Sequence, residues 1–246
     1  MSTSAPKGYE QAISVLINAT ITPQIITVGA EKTPVIIIDD LLVNTEELIK
    51  DACNNASFMP VRDSYYPGLR AQLPPLYVTK VLQAVCQGIR RVYQIPPSLN
   101  LQSQSAYYSL ITTLEKDLHP MQQMPHFDTN GQYNFAILHY LNVNYHGDTG
   151  FFRHLPTGFE RIDKTNVKHY FNAAQKFINE NELPVQEYCK ATTPHYALLQ
   201  QIAYKPNRLV IYPGNLLHST LVCPDNDIDA NPATGRLTAN IFIDFQ

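Results

Sequence analysis

A mainly β protein backed by helices at its N-terminal end is what this sequence predicts, a sandwich or barrel rather than an alternating βαβ fold. Three observations carry the prediction. Helical spacing of apolar residues is clearest before residue 100, and segments rich in Tyr, Ile, Val and Thr follow from about residue 104. The last of those segments alternates cleanly between polar and apolar residues.

The elements follow in order. Segment 34–42, PVIIIDDLL, is a short apolar run rich in Ile, ending in acidic residues, and reads as a buried strand. Asn44-Thr45-Glu46-Glu47 has the composition of a helix start, with Leu48, Ile49 and Ala52 as its apolar face. Residues 60–75 are rich in Pro, Tyr and Gly and read as a loop. Segment 77–93 places Val78, Val81, Leu82, Val85 and Ile89 at helical spacing. Strands are expected at SAYYSLITTL, at 133–143, at GFFRHL after a polar turn, at 208–214 and at 236–245. Segment 163–182 looks helical and, with its flanks, forms an insertion of about 157–200. In the last strand Arg236, Thr238, Asn240, Phe242 and Asp244 share one face, and Leu237, Ala239, Ile241, Ile243 and Phe245 the other. The apolar face should pack on the helices, leaving Arg236 to face a cavity.

At 246 residues the chain suits one domain, 1–246, with 1–8 as a flexible tail, 34–100 as an N-terminal strand and supporting helices, and 104–246 as the β core. A net charge of -3 and the lack of Lys/Arg runs argue against nucleic acid and lipid surfaces as partners. Cys53, Cys86, Cys189 and Cys223 are widely spaced with no CxxC, which fits a reducing compartment better than a disulfide framework. No signal peptide and no membrane span is expected, so a soluble, cytoplasmic protein is the prediction. Oligomeric state is not legible.

The chemistry-bearing residues are scattered: His126-Phe127-Asp128, then His218, then Arg236-Leu237-Thr238. Two histidines and a carboxylate are the set that binds a non-haem Fe(II) on one face and leaves the other open. In an H-x-D pattern the two-residue strand period points both side chains to one side. Alone the pattern is weak, and it occurs twice. His146/Asp148 sits in His-Gly-Asp-Thr-Gly, a turn composition in which the side chains need not converge, so the first pair is favoured. His218 follows Leu216-Leu217 and would pass alone as a core histidine. Arg236 would pass alone as a surface ion-pair residue. Their order and spacing raise both: Arg offers a planar fork to a carboxylate, and Thr238 lies on the same side to add a hydrogen bond.

The sequence resembles the Fe(II)/2-oxoglutarate-dependent oxygenases, in their prolyl-hydroxylase-like branch. The residues that carry the likeness are Pro125-His126-Phe127-Asp128, His139-Tyr140-Leu141-Asn142, Gly147-Asp148-Thr149-Gly150-Phe151-Phe152, Tyr212 to His218, and Gly235-Arg236-Leu237-Thr238. It looks closest to an uncharacterised bacterial family there, which also shows Tyr-Pro-Gly-x-Arg (Tyr66 to Arg70) and Phe-Phe-Arg-His (Phe151 to His154). The resemblance implies a double-stranded β-helix, or jelly-roll, with a helical insertion. It implies His126, Asp128 and His218 as the catalytic metal ligands for Fe(II), and Arg236 with Thr238 for the distal carboxylate of the co-substrate 2-oxoglutarate. Tyr140, and more distantly Tyr108, would complete that site, with O2 as the oxidant and succinate and CO2 as products. Whether ascorbate is needed is not legible.

The implied activity is hydroxylation of a small-molecule, amino-acid or peptidyl substrate. Tyr65, Tyr66, Arg70, Arg153 and His154 are candidates for the cavity entrance, and the insertion for a lid, against the plainer reading of surface loops and packing residues. Two rivals remain: a cupin-like isomerase or zinc hydrolase, which would keep the histidines but have no use for Arg236-x-Thr238, and a binding module with a degenerate cavity.

Overall fold

The computed structural model of the protein describes residues 13–61, 65–181 and 186–246; the expected tail, 1–8, lies outside them. Among the described residues there are eleven strands and four α-helices. They are β1 (Gln24–Val28), β2 (Thr33–Ile38), α1 (Glu46–Asn54), β3 (Met59–Pro60), β4 (Gly68–Gln72), α2 (Pro75–Val92), β5 (Leu101–Ile111) and β6 (Asn134–Tyr140). There follow β7 (Thr149–His154), α3 (Val167–Glu180), β8 (Tyr196–Ile202), β9 (Leu209–Pro213), β10 (His218–Thr220), α4 (Pro224–Asp227) and β11 (Thr238–Phe245). The strands form an eight-stranded sheet, β1-β2-β9-β6-β11-β5-β4-β3, and a three-stranded sheet, β10-β7-β8. Every pairing between them is antiparallel.

The alternation of the last strand decides how the layers stack. On β11, Ala239, Ile241, Ile243 and Phe245, with Leu237 just before it, are buried in one core with Tyr77, Val81, Val85 and Ile89, the i, i+4 stripe of α2. Proline at the start of α2 and Arg90 and Arg91 in its last turn suit the ends of that helix. Each fully buried aliphatic side chain here contributes about 1.5–3 kcal/mol. The opposite face of the large sheet buries Ala136, Leu138, Tyr140, Val210 and Tyr212 against Phe151 and Ile202 of the small sheet. Between that face and β10 a cavity of about 630 Å³ opens.

Several boundaries differ from the sequence reading. The stretch 60–75 is not all loop: Gly68–Gln72 is β4, paired with β5. Its GLRAQ sequence has no β-branched residue, so its strand character comes from the neighbour and not from propensity. Gly68 is required there, because a Cβ would lie 1.9 Å from the Leu110 carbonyl oxygen. The supposed insertion ends early: β8 begins at Tyr196 and pairs with β7, so only α3 and its flanking loops are inserted. The N-terminal part holds more than the one expected strand, β2: β1, β3 and β4 are also strands, and the four extend the large sheet at both edges. The four cysteines are free, and among the described residues no helix is long and apolar enough to cross a membrane.

Candidate metal centre and its cavity

His126 and His218 face each other across an isolated antiparallel bridge, each backbone N–H donating to the other's carbonyl at 2.9 and 2.8 Å. Directly opposed residues of such a pair put their side chains on the same side, and the two imidazole centroids are 4.4 Å apart. Asp128 is held by the turn that ends β9: its N–H donates to the Gly214 carbonyl at 2.7 Å. The Asp128 carboxylate lies 3.8 Å from His126 Nε2 and 3.7 Å from His218 Nε2. One ligand atom from each residue lies within 4.8 Å of the others, and among the described residues this is the one such cluster of three. His218 Nδ1 donates to the Leu216 carbonyl at 2.7 Å, which fixes the tautomer and leaves Nε2 with a free lone pair. Two imidazoles and one carboxylate make a donor set that suits a divalent cation.

The electrostatics fit the same use. The His126 ring is set in the concave wall of the cavity, with 52% of its side chain still accessible. That burial, reinforced by His218 and Arg70, brings its imidazole from an ordinary 6.5 down to about 3, so it is neutral at physiological pH. Burial raises the Asp128 carboxyl while the charges of His218 and Arg70 oppose the rise.

Arg236 is 2% exposed and lines the same cavity. Its Nε donates to the Gly147 carbonyl at 2.8 Å, and its guanidinium carbon stands 5.5 Å from the Tyr140 ring centroid and 5.7 Å from that of Tyr204. Its Nη2 is buried with no hydrogen-bond partner among the described residues. A buried cationic donor left unpaired is costly, and a carboxylate entering the cavity would satisfy it. Thr238, also lining the cavity, accepts from Asn240 Nδ2 at 2.9 Å and keeps its own proton to donate. Tyr140 is fully buried; its hydroxyl pairs at 2.7 Å with that of Thr149, a cavity-lining residue, so Tyr140 supports Arg236 from behind rather than reaching the cavity.

Tyr108 corrects the sequence reading. Opposite residues across the strands form rows: Ala71, Tyr108, Ala239 and His139 form one, and Arg70, Ser109, Thr238 and Tyr140 the next. Successive rows face opposite ways. Tyr108 therefore points into the helix-side core, where its hydroxyl donates to the Leu48 carbonyl at 3.1 Å and to Asp51 Oδ2 at 2.9 Å. It does not reach the cavity on the other face.

The remaining candidates divide. Tyr65, Tyr66 and Arg70 line the cavity. Arg153 instead pairs with the buried Glu160, and His154 hydrogen-bonds Thr157 and His195 in the packing around α3. His146 and Asp148 diverge: His146 Nδ1 meets Asp227 Oδ1 at 3.0 Å, and Asp148 accepts from Gln201 and from the Tyr204 N–H. Sequence reasoning missed Asp227. Wholly buried, it accepts from His146, from the Gly147 N–H and from the Cys223 N–H at 2.7 Å, and so fixes the peptide whose carbonyl holds Arg236. It lies in a polar stretch that reads as an ordinary surface excursion, and nothing in its spacing marks it. Tyr170 and Phe171 of α3, also missed, bring the insertion to the cavity wall.

No curated protein matches the chain. Among solved structures it is similar to AviO1 from Streptomyces viridochromogenes, at 11% identity and a TM-score of 0.39 over 81% of this chain and 80% of that one, a likeness too slight to speak to architecture. A family model matches residues 19–243, nearly the whole chain, and on that match the protein belongs to DUF6445, a family of unknown function.

Proposed function

We propose that the protein is an Fe(II)- and 2-oxoglutarate-dependent dioxygenase with a jelly-roll core, hydroxylating a small-molecule, amino-acid or peptidyl substrate with release of succinate and CO2. The observation that carries this reading is the meeting, in one cavity, of the His126–Asp128–His218 cluster and a buried arginine with an unsatisfied donor. His126, Asp128 and His218 would hold Fe(II) from one side and leave the cavity side open. Arg236, with Thr238, would take the distal carboxylate of 2-oxoglutarate through a charge-assisted fork. Bound metal and co-substrate supply the oxidising power drawn from O2. The chain's own contribution is positional. Leu216 aims His218, Gly214 aims Asp128, and Gly147 aims Arg236. Phe127, Tyr170 and Tyr212 wall the cavity with apolar surface that keeps water from the reacting centre.

The test is an anaerobic titration of the protein with Fe(II) and 2-oxoglutarate, read by the visible charge-transfer absorption of the chelate, with succinate formation on admitting O2. Asp128→Ala should lose both. Near-normal succinate from that variant would overturn the ligand assignment. Metal binding with no response to 2-oxoglutarate would turn the reading to a cupin-like metal protein.

A further inference from the structure

We propose that Arg70 recognises an acidic group on the primary substrate, whose apolar body lies against a rim made by Tyr65, Met121 and Phe171. The oxidation of that substrate rests on the dioxygenase reading; the anion site does not.

The register places Arg70 directly opposite Ser109, and Ser109 opposite Thr238, so Arg70 shares the cavity face with the residues of the Arg236 site. Two strand spacings put its backbone about 10 Å from that of Thr238. The place is fixed by the close approach of β4 to β5 at Gly68, where any side chain would strike the Leu110 carbonyl. The guanidinium is held by ring faces: its carbon stands 4.3 Å from the Tyr66 centroid, 5.4 Å from Tyr107 and 5.9 Å from Phe242. Stacked aromatic faces hold a guanidinium in plane and leave its edge, where every donor points, unused. Nε of Arg70 is buried with no acceptor, and among the described residues no carboxylate forms an ion pair with it.

A cation set among aromatics, with only the through-space charge of Asp128 to offset it, is expensive, and an arriving anion that bonds its donors directly recovers the cost. The co-substrate does not account for it. Of the two carboxylates of 2-oxoglutarate one belongs beside the metal and the other is met by Arg236, so Arg70 is a surplus positive charge in the same cavity. The mouth is of a different character: Tyr65, Met121 and Phe171 line the cavity and are 58%, 40% and 50% exposed. Large apolar side chains left open at a cavity mouth mark where the apolar part of a ligand rests.

The experiment is calorimetric titration of the full chain, metal-free and again with Zn(II) and 2-oxoglutarate, using phenylacetate and 4-phenylbutyrate, each against its neutral amide. One of the acids should bind about tenfold or more tighter than its amide, the size expected of a charged hydrogen-bond pair. Arg70→Gln should erase that preference and leave 2-oxoglutarate affinity unchanged, and Arg70→Lys, which keeps the charge, should retain part of it. Acids and amides binding alike to the unmodified protein, or a preference that survives Arg70→Gln, would overturn the proposal. So would a tenfold loss of 2-oxoglutarate affinity in Arg70→Gln, since Arg70 would then serve the co-substrate. Acid preference lost in Arg70→Gln, in a protein that never binds 2-oxoglutarate, would sink the dioxygenase reading and uphold the anion site.

Discussion

Replacing Asp227 by Asn changes one atom's chemistry at a fully buried carboxylate and tests how the Arg236 site is built. Oδ1 accepts from His146 Nδ1 and the Gly147 N–H, both at 3.0 Å, and Oδ2 accepts from the Gly147 N–H at 3.1 Å and the Cys223 N–H at 2.7 Å. An amide keeps one acceptor and turns the other position into a donor facing a donor, whichever way it is oriented. Each hydrogen bond to a charged group contributes about 1.5–3 kcal/mol, and removing one partner of a buried charged network costs about 3–5 kcal/mol, so a loss of about 3 kcal/mol or more is expected. For a chain of this length each kcal/mol moves the midpoint by about 2–4 °C, so Tm should fall by roughly 10 °C, read by circular dichroism. The functional readout is more specific. The Gly147 carbonyl anchors Arg236 Nε, so 2-oxoglutarate affinity should drop about tenfold while metal affinity stays within about twofold. An unchanged midpoint would refute the network, and a metal affinity that fell as far as that of 2-oxoglutarate would show a general collapse instead.

Three further outcomes are expected. Tyr108→Phe should lose about 1 kcal/mol in urea denaturation, for the hydroxyl bonds to Leu48 and Asp51, with 2-oxoglutarate affinity unaltered; a tenfold weakening would return Tyr108 to the co-substrate site. Ile241→Ala, on the helix side of the central strand β11, should cost about 2–5 kcal/mol by denaturant titration and leave metal affinity unchanged. The protein should lose stability as pH falls below neutral: burial takes His139 from 6.5 to about 4, so between those values the unfolded chain holds the extra proton. Raising the pH through that window therefore stabilises the fold, and at about pH 5 this histidine alone accounts for about 2 kcal/mol. The unfolding free energy measured against pH should show this slope, and His139→Gln should make it shallower, with His126, His154 and His195, lowered likewise by burial, carrying the rest.

How much of this was legible in the sequence follows from the range of each interaction. The two-residue period of 236–245 fixed which side chains of β11 meet helices and which meet the cavity, because strand geometry is local and does not depend on the partner. The i, i+4 spacing of α2 was equally local. His126, Asp128 and His218 could be named because ligand chemistry restricts residue type. The bridge that sets the two histidines face to face, across some ninety residues of chain, is a tertiary fact.

What the chain order alone determined was therefore composition and periodicity: a β-rich protein, helices against one face, and a short roster of metal-capable side chains. Register was beyond it, and register decided the rest. One step along β5 separates Tyr108, buried among the helices, from Ser109 and Tyr107 on the cavity face, and no local pattern distinguishes the two tyrosines. Strand β4 has no propensity of its own and exists because β5 offers it an edge, which is what carries Arg70 into the cavity. Asp227 acts through a peptide eighty residues away. Such contacts arise from packing the whole chain, and they turn a list of suitable residues into a site.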